Sequence, residues 1–358
     1  MLSLLMLFIL QSVEVRAQYK FQDEVRLKCT NIKNQQKTGT CWSFATASFL
    51  ESELARMGGE LVDLSEMYVV RSIYNDKAMN YMLRQGKANF SQGSLSHDLM
   101  RMIKKVGIMP QSAYDGKIDP ADPYDHGEME VGLKGYLDGI RTRKRLSSNW
   151  KSAFNGILDA YMGVLPETFE VDGKSFTPQE YAASFGIDTD EYVSISSFAH
   201  HPFYEKFILE IPDNYSNGSY YNVPINELVN AIDVALSKGY SVAWDGDVSE
   251  EGFSSREGIA ILPAEGGDDI FSNPVEEVAA SQAYRQELFE NYATTDDHLM
   301  HIVGSARDQN GTKYYIIKNS WGKRGPYSGY LYMSETYVKM KTIAIMLHEN
   351  ALTFEVSD

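Results

Sequence analysis

"NQQKTGTCWSFATASFLESELAR", residues 34–56, places Cys41, one of only two cysteines in the chain, directly before Trp42 and a helical pattern. Phe44, Ala47, Leu50 and Leu54 recur at the spacing of one helical face, and Gly58-Gly59 ends the run. Cys41 is therefore expected at a helix N-terminus, where the positive end of the macrodipole favours a thiolate. A lone cysteine before an aromatic is more often a packed core thiol than a nucleophile, so the flanking residues have to decide. Gln35 stands six positions earlier, with Gly39 between them to permit a tight backbone turn. A Gln amide and the Cys41 backbone N–H are two donors of the kind that hold an oxyanion in acyl transfer.

Two distant segments complete a constellation. In "DDHLMHIVG" (296–304) His298 opens a strand pattern, and in "YYIIKNSWG" (314–322) Asn319 closes another, followed by Trp321. A thiolate nucleophile needs an imidazole to pair with and to protonate the leaving amine, and the imidazole needs an amide to fix its tautomer. Cys41, His298 and Asn319 are those residue types on three separated segments. His301 is the rival base, but three positions from His298 on a strand it faces the other side.

Gln35, Cys41-Trp42, His298 preceded by Asp297 and six before Gly304, and "KNSWG" together resemble the papain superfamily of cysteine peptidases. "NQQKTGTCWSFA" is most similar to the bleomycin hydrolase/aminopeptidase C branch, in its shorter bacterial form. "LSEMYVV" and "SQGSLSHDLM" fall where that family has the helix after the nucleophile and a glycine-containing pocket loop. The likeness covers roughly residues 25–110 and 190–350. Papain's additional cysteine near the nucleophile is missing here, as it is in that branch. The Cys41-to-His298 separation of 257 (298 − 41) far exceeds the roughly 130–150 of papain-like enzymes, and an insertion at about 111–190 absorbs most of the excess.

The resemblance implies an α+β, papain-like two-lobed fold with the nucleophile on a helix of the first lobe and a β-barrel-like second lobe. It implies a peptidase working through a thioacyl-enzyme, an aminopeptidase acting on peptides, with no cofactor and no metal. Cys41 would attack, Gln35 would hold the oxyanion, His298 would carry the proton, Asn319 would orient His298, and Trp321 would shield that bond. Gly93 and Ser94 would line the wall beside the substrate backbone. In the family the chain's own C-terminus enters the cleft and offers its carboxylate to the substrate amine, a gate that Asp358 at the end of "ALTFEVSD" would supply here. Relatives can form hexamers, so a homo-oligomer is a possibility the family raises. The alternatives are an endopeptidase with an open cleft and a catalytically idle papain-fold binding protein, against which the complete set Gln35, Cys41, His298, Asn319 argues.

The rest of the chain sets the frame. Its 358 residues suffice for a large core without disulfides, and two cysteines make no disulfide scaffold. A net charge of −16 disfavours nucleic acid and anionic membranes as partners. "MLSLLMLFILQSVEVRAQYK" reads as a signal peptide cut after Ala17, which implies an exported, periplasmic or secreted protein, with a cytoplasmic one as the alternative. The expected division is 1–17 signal peptide, 18–110 helical lobe, 111–190 helical insertion, 191–350 β-rich lobe and 351–358 tail. Asp245 and Asp247 in "AWDGDV" invite a substrate ammonium, though a solvated turn is the better reading, and His200-His201 are expected to point apart on a strand.

Overall fold

The computed structural model describes residues 19–267 and 269–356. Residues 1–17, expected as a signal peptide, and Asp358 lie outside the described residues. Strand β1 (Gln22–Arg26) precedes the nucleophile segment, and three helices follow: α1 (Cys41–Arg56), α2 (Glu66–Leu83) and α3 (Ser96–Val106). The Ser65 hydroxyl accepts the Tyr68 N–H and starts α2, and Gly107, at φ 82°, stops α3.

The insertion contains α4 (Gly127–Ile140), α5 (Asn149–Met162), a hairpin of β2 (Phe169–Val171) and β3 (Lys174–Phe176), and α6 (Pro178–Ser184). The helical pattern of residues 131–163 reads as one helix, but an exposed turn that carries the basic run 141–145 divides it. Asp172 and Gly173 turn the hairpin with positive φ at both positions, and Thr177 and Glu180 close a capping box on α6.

The remainder is built on one sheet. Its strands are β4 (Tyr192–Ser196), β5 (Lys206–Ile208), β6 (Ser219–Asn222), β7 (Val242–Gly246), β8 (Phe253–Ser254), β9 (Ile259–Ala260), β10 (His298–Arg307), β11 (Lys313–Lys318), β12 (Tyr330–Ser334) and β13 (Thr342–His348). Helices α7 (Ile225–Ser237), α8 (Gln282–Glu290) and α9 (Glu335–Lys341) pack around it. The order is β5-β6-β4-β13-β7-β10-β11-β12-β9-β8, with β1 paired to β10. β1 therefore belongs to the sheet although it falls within the expected helical lobe 18–110.

The sheet separates two main apolar clusters. On one face α1 to α5 pack around Trp42, Phe49, Leu50, Phe154 and Leu158; on the other α7 and α9 cover Trp244, Tyr315 and Tyr337. Each such large side chain removed from water contributes about 1.5–3 kcal/mol. The expected single apolar face of α1 is an understatement, because every residue from Cys41 to Leu54 is buried. Several of its polar positions are satisfied by partners: the Ser43 hydroxyl donates to Glu66 O, Thr46 to Ser96 Oγ, and Glu51 accepts the Leu64 N–H, while Ser52 Oγ and Glu53 Oε1 have none. Among the described residues no helix is long and apolar enough to cross a membrane.

Candidate active site

Cys41 is the first residue of α1, so its backbone N–H is one of the donors that a helix leaves without an intrahelical acceptor. The segment before it is anchored on two sides. Gly39 N–H donates to Gln92 Oε1 (2.8 Å), and Trp42 Nε1 donates to Gln92 O (2.9 Å). Gln35 N–H donates to Ser320 O (2.8 Å), so the oxyanion segment runs alongside the loop that carries Asn319 and Trp321.

The Gln35 amide is oriented at both ends. Its Oε1 accepts the Ser320 hydroxyl (2.6 Å) and its Nε2 donates one hydrogen to Thr38 O (2.7 Å), which leaves the second hydrogen for a ligand. His298 begins β10 and donates from Nε2 to Asn319 Oδ1 (2.8 Å). The same oxygen accepts the Ser320 N–H (2.7 Å), which fixes the way the Asn319 amide faces. Trp321 stacks on the imidazole, with centroids 4.4 Å apart and planes at 28°. Nδ1 is left as the nitrogen that can exchange a proton with a thiol.

Burial pushes the Cys41 thiol up to about 12, partly offset by the Leu299 N–H that points at its sulfur, while Asp296, Asp245 and Asp213 raise it further. Burial lowers His298 to about 4, against the Asn319 bond that favours its charged form. Either charge alone is penalised, so thiolate and imidazolium form together by proton transfer within the pair.

The other expected residues separate. Gly93 lies at the cleft, with Lys77 Nζ donating to its carbonyl and to Ser91 O. The Ser94 side chain turns inward instead and donates to Asp98 Oδ2 (2.7 Å), and the whole residue is buried. His301 is buried against α1 two turns beyond Cys41, within 2.9 Å of Ser48 Oγ, and takes no part in the site. The described tail leads away from the cleft: Phe354 stacks on Tyr221, whose side chain belongs to the α7 face of the sheet. Ser320 was missed as a candidate, although it stands inside "KNSWG" between two residues that were chosen.

Two surface expectations change. Asp245 and Asp247 are not in a solvated turn: Asp245 is buried in β7, and buried Asp247 accepts the N–H groups of Ser249 and Thr295. His200 and His201 sit in a turn rather than a strand, and both reach the Glu210 carboxylate from Nε2 (3.2 and 2.7 Å).

Residues 167–358, more than half of the chain, match the peptidase C1-like family. The chain belongs to that family. Residues 17–164 match the papain family cysteine protease pattern, so both halves point to the same class, and the protein is a cysteine peptidase. Aminopeptidase G of Lactobacillus delbrueckii subsp. lactis is 22% identical over 374 residues, covering 91% of this chain and 83% of the relative. Aminopeptidase C of Lactococcus lactis subsp. lactis is 22% identical over 399 residues, covering 97% and 88%. The crystal structure of PepW from Lactobacillus rhamnosis superposes with a TM-score of 0.71 at 18% identity, covering 92% of this chain and 82% of that one. The papain-like α+β fold of this peptidase is thereby established.

Proposed function

We propose that this C1-like peptidase is an aminopeptidase that removes N-terminal residues from peptides through a thioacyl-enzyme at Cys41. The observation that carries the chemistry is His298 held through Nε2 by Asn319 under Trp321, with Nδ1 left for the thiol. The aminopeptidase names of relatives aligned over most of their length support the choice among peptidases.

Cys41 passes its proton to His298 Nδ1 and attacks the scissile carbonyl. The tetrahedral oxyanion is received by the Cys41 backbone N–H and the second hydrogen of Gln35 Nε2, which Thr38 and Ser320 hold in place. The C–N bond breaks as the imidazolium gives its proton to the departing amine, leaving a thioester. His298 then takes a proton from water, the hydroxide adds to the thioester, and the acid product leaves with Cys41 restored. Gly93 and Trp321 would flank the substrate backbone on the two sides.

Paired fluorogenic substrates, one with a free α-amine and one acetylated, test this under reducing conditions. Turnover of the free amine alone, abolished by Cys41→Ala, is the expected result. Equal cleavage of the acetylated substrate would make the enzyme an endopeptidase. We also propose export, for which the leader-like residues 1–17 are the support; a mature N-terminus at residue 18 in the exported protein is expected, and an unprocessed cytoplasmic chain would refute it.

A further inference from the structure

Three carboxylates lie beside Cys41 that the peptidase chemistry does not use. All three act through space on its thiol: Asp213, Asp245 and Asp296. Asp245 sits on β7 in register with Leu299 and Ala344 and shares the face of Ala243, which packs toward α1. It is 4% exposed, and no amide, hydroxyl or cation of the chain donates to it; the carboxyl of Asp296 is its hydrogen-bond partner. The group that faces it is the Asp296 carboxyl, two positions before His298. Two carboxyls sharing one proton in a buried site leave their remaining lone pairs without an N–H donor, which costs folding free energy.

Asp213 arrives from the other direction. The segment Leu209–Gly218, between β5 and β6, leaves the sheet and is fastened to the helices. The Tyr215 hydroxyl donates to Asp76 Oδ2 (3.0 Å) and accepts from Arg101, Asn80 Nδ2 donates to Tyr215 O (3.2 Å), and His97 Nε2 meets Ser216 Oγ (3.0 Å). Asp213 Oδ1 accepts from Asn89 Nδ2 (3.0 Å) and Ser91 Oγ (3.4 Å). Its Oδ2 lies against Gly93 so closely that a Cβ there would fall inside the carboxylate. The segment is thus a strap fastened over the loop whose Gln92 also holds Gly39 and Trp42.

The charges are not balanced locally. Lys77 is the cation facing Asp213 and Asp296, and its ammonium is spent on the carbonyls of Ser91 and Gly93. Other titratable neighbours include Asp297, Asp98, Tyr220 and His97, of which none brings a permanent positive charge. Asp296 also lines a groove of about 510 Å³ together with Ile211, Pro212 and Tyr292, so this member of the group is reachable from outside.

We propose that Asp213, Asp245 and Asp296 form an anionic subsite that takes the α-ammonium group of the peptide substrate, with the 209–218 strap closing the cleft behind it. This deepens the aminopeptidase reading and rests on it. A peptide extends only about 3.3–3.6 Å per residue, so a carboxylate wall this near the nucleophile admits a short stub and rejects a long one. The ammonium supplies N–H donors to the Asp245–Asp296 pair and neutralises the charges that Asp213 and Asp296 bring together.

The test compares wild type with Asp213→Asn and Asp296→Asn on the free-amine and acetylated substrates, and on acetylated dipeptide substrates with Lys or Leu next to the cleaved residue. Alkylation of Cys41 by iodoacetamide and a thermal melt report folding. Asp213→Asn is isosteric at a partly exposed loop position, so it carries the test even if Asp296→Asn fails to fold. The expected result is a KM for the free-amine substrate raised about 10-fold or more, with the preference for free over acetylated substrate reduced in proportion. Wild-type preference in both variants overturns the proposal. So does a loss confined to the Lys-bearing acetylated substrate, which would make the subsite a reader of basic side chains. Loss of preference on deleting Ser357 and Asp358, with the Asp variants unaffected, assigns the amine to the tail and also overturns it. A wild-type enzyme without any preference fails the aminopeptidase reading itself, a result visible before any variant is made.

Discussion

At His298 three neighbours each take one property of the imidazole. Asn319 takes Nε2, Trp321 covers the ring, and burial removes its charge, holding the pKa at about 4. The thiol beside it is pushed up to about 12, so across the neutral range the pair stays net neutral, with the proton on either sulfur or nitrogen. A base whose pKa is lowered stays available until the pH falls through the lowered value. kcat/KM should therefore hold down to mildly acidic pH and fall through an acid limb near 4. A limb at ~6.5, the ordinary imidazole value, would show that His298 is solvated in the working enzyme. The residue types and roles at this scale were legible from Gln35, Cys41, His298 and Asn319. Ser320 was not, because a serine between two stronger signals carries no chemistry until its hydroxyl is seen on Gln35 and its N–H on Asn319.

Helix α1 is the element on which the site depends, and it is buried through Leu54 because the sheet covers one side and α2 and α3 the other. The 91–94 loop closes on its first turn, and Gly93 is the residue that lets the strap approach. Gly93→Ala puts a methyl group into the Asp213 carboxylate, so either the strap or the loop must move. A loss of about 1–3 kcal/mol is expected in denaturant or thermal unfolding. Gly132→Ala is the contrast: on α4 its added methyl meets open space, and it should stabilise by up to ~1 kcal/mol. Equal effects at the two positions would show that the strap does not press on Gly93. Ser65 or Asp63 can cap the second helix by residue type, and the structure uses Ser65; "TPQE" at 177–180 carries cap, first-turn Pro and capping-box Glu180 together. The break in residues 131–163 is hidden because helical periodicity continues on both sides of it, and the contact of α4 with α5 exists only in three dimensions.

For the molecule as a whole, one sheet joins segments that are far apart in the chain: β1 pairs with β10, and β7 lies between β10 and β13. His298, Asp245 and the helix bearing Cys41 meet along that central seam. The net charge of −16 adds a long-range attraction for cationic peptides. kcat/KM for a peptide with several lysines should fall as ionic strength rises from ~0.01 to 1 M, while that for an acidic peptide of equal length should rise or stay level. Identical salt profiles for the two would show that the field does not steer substrate.

The sequence by itself determined the class of chemistry and the fold class. Nucleophile, base, orienting amide and oxyanion donor are side-chain types at fixed local positions, and strand and helix periods are local properties of the chain. Tertiary structure alone decided what surrounds them. Asp245 looks like a turn residue because Gly246 and Asp247 follow it, yet pairing of β7 with β10 and β13 buries it beside the thiol. Asp213 gives no signal at all in sequence, since its meaning comes from a loop that crosses to α2 and α3 and rests on a glycine 120 positions away (213 − 93). Burial, electrostatic surroundings and long-range contact depend on where the chain returns, and no local pattern encodes that.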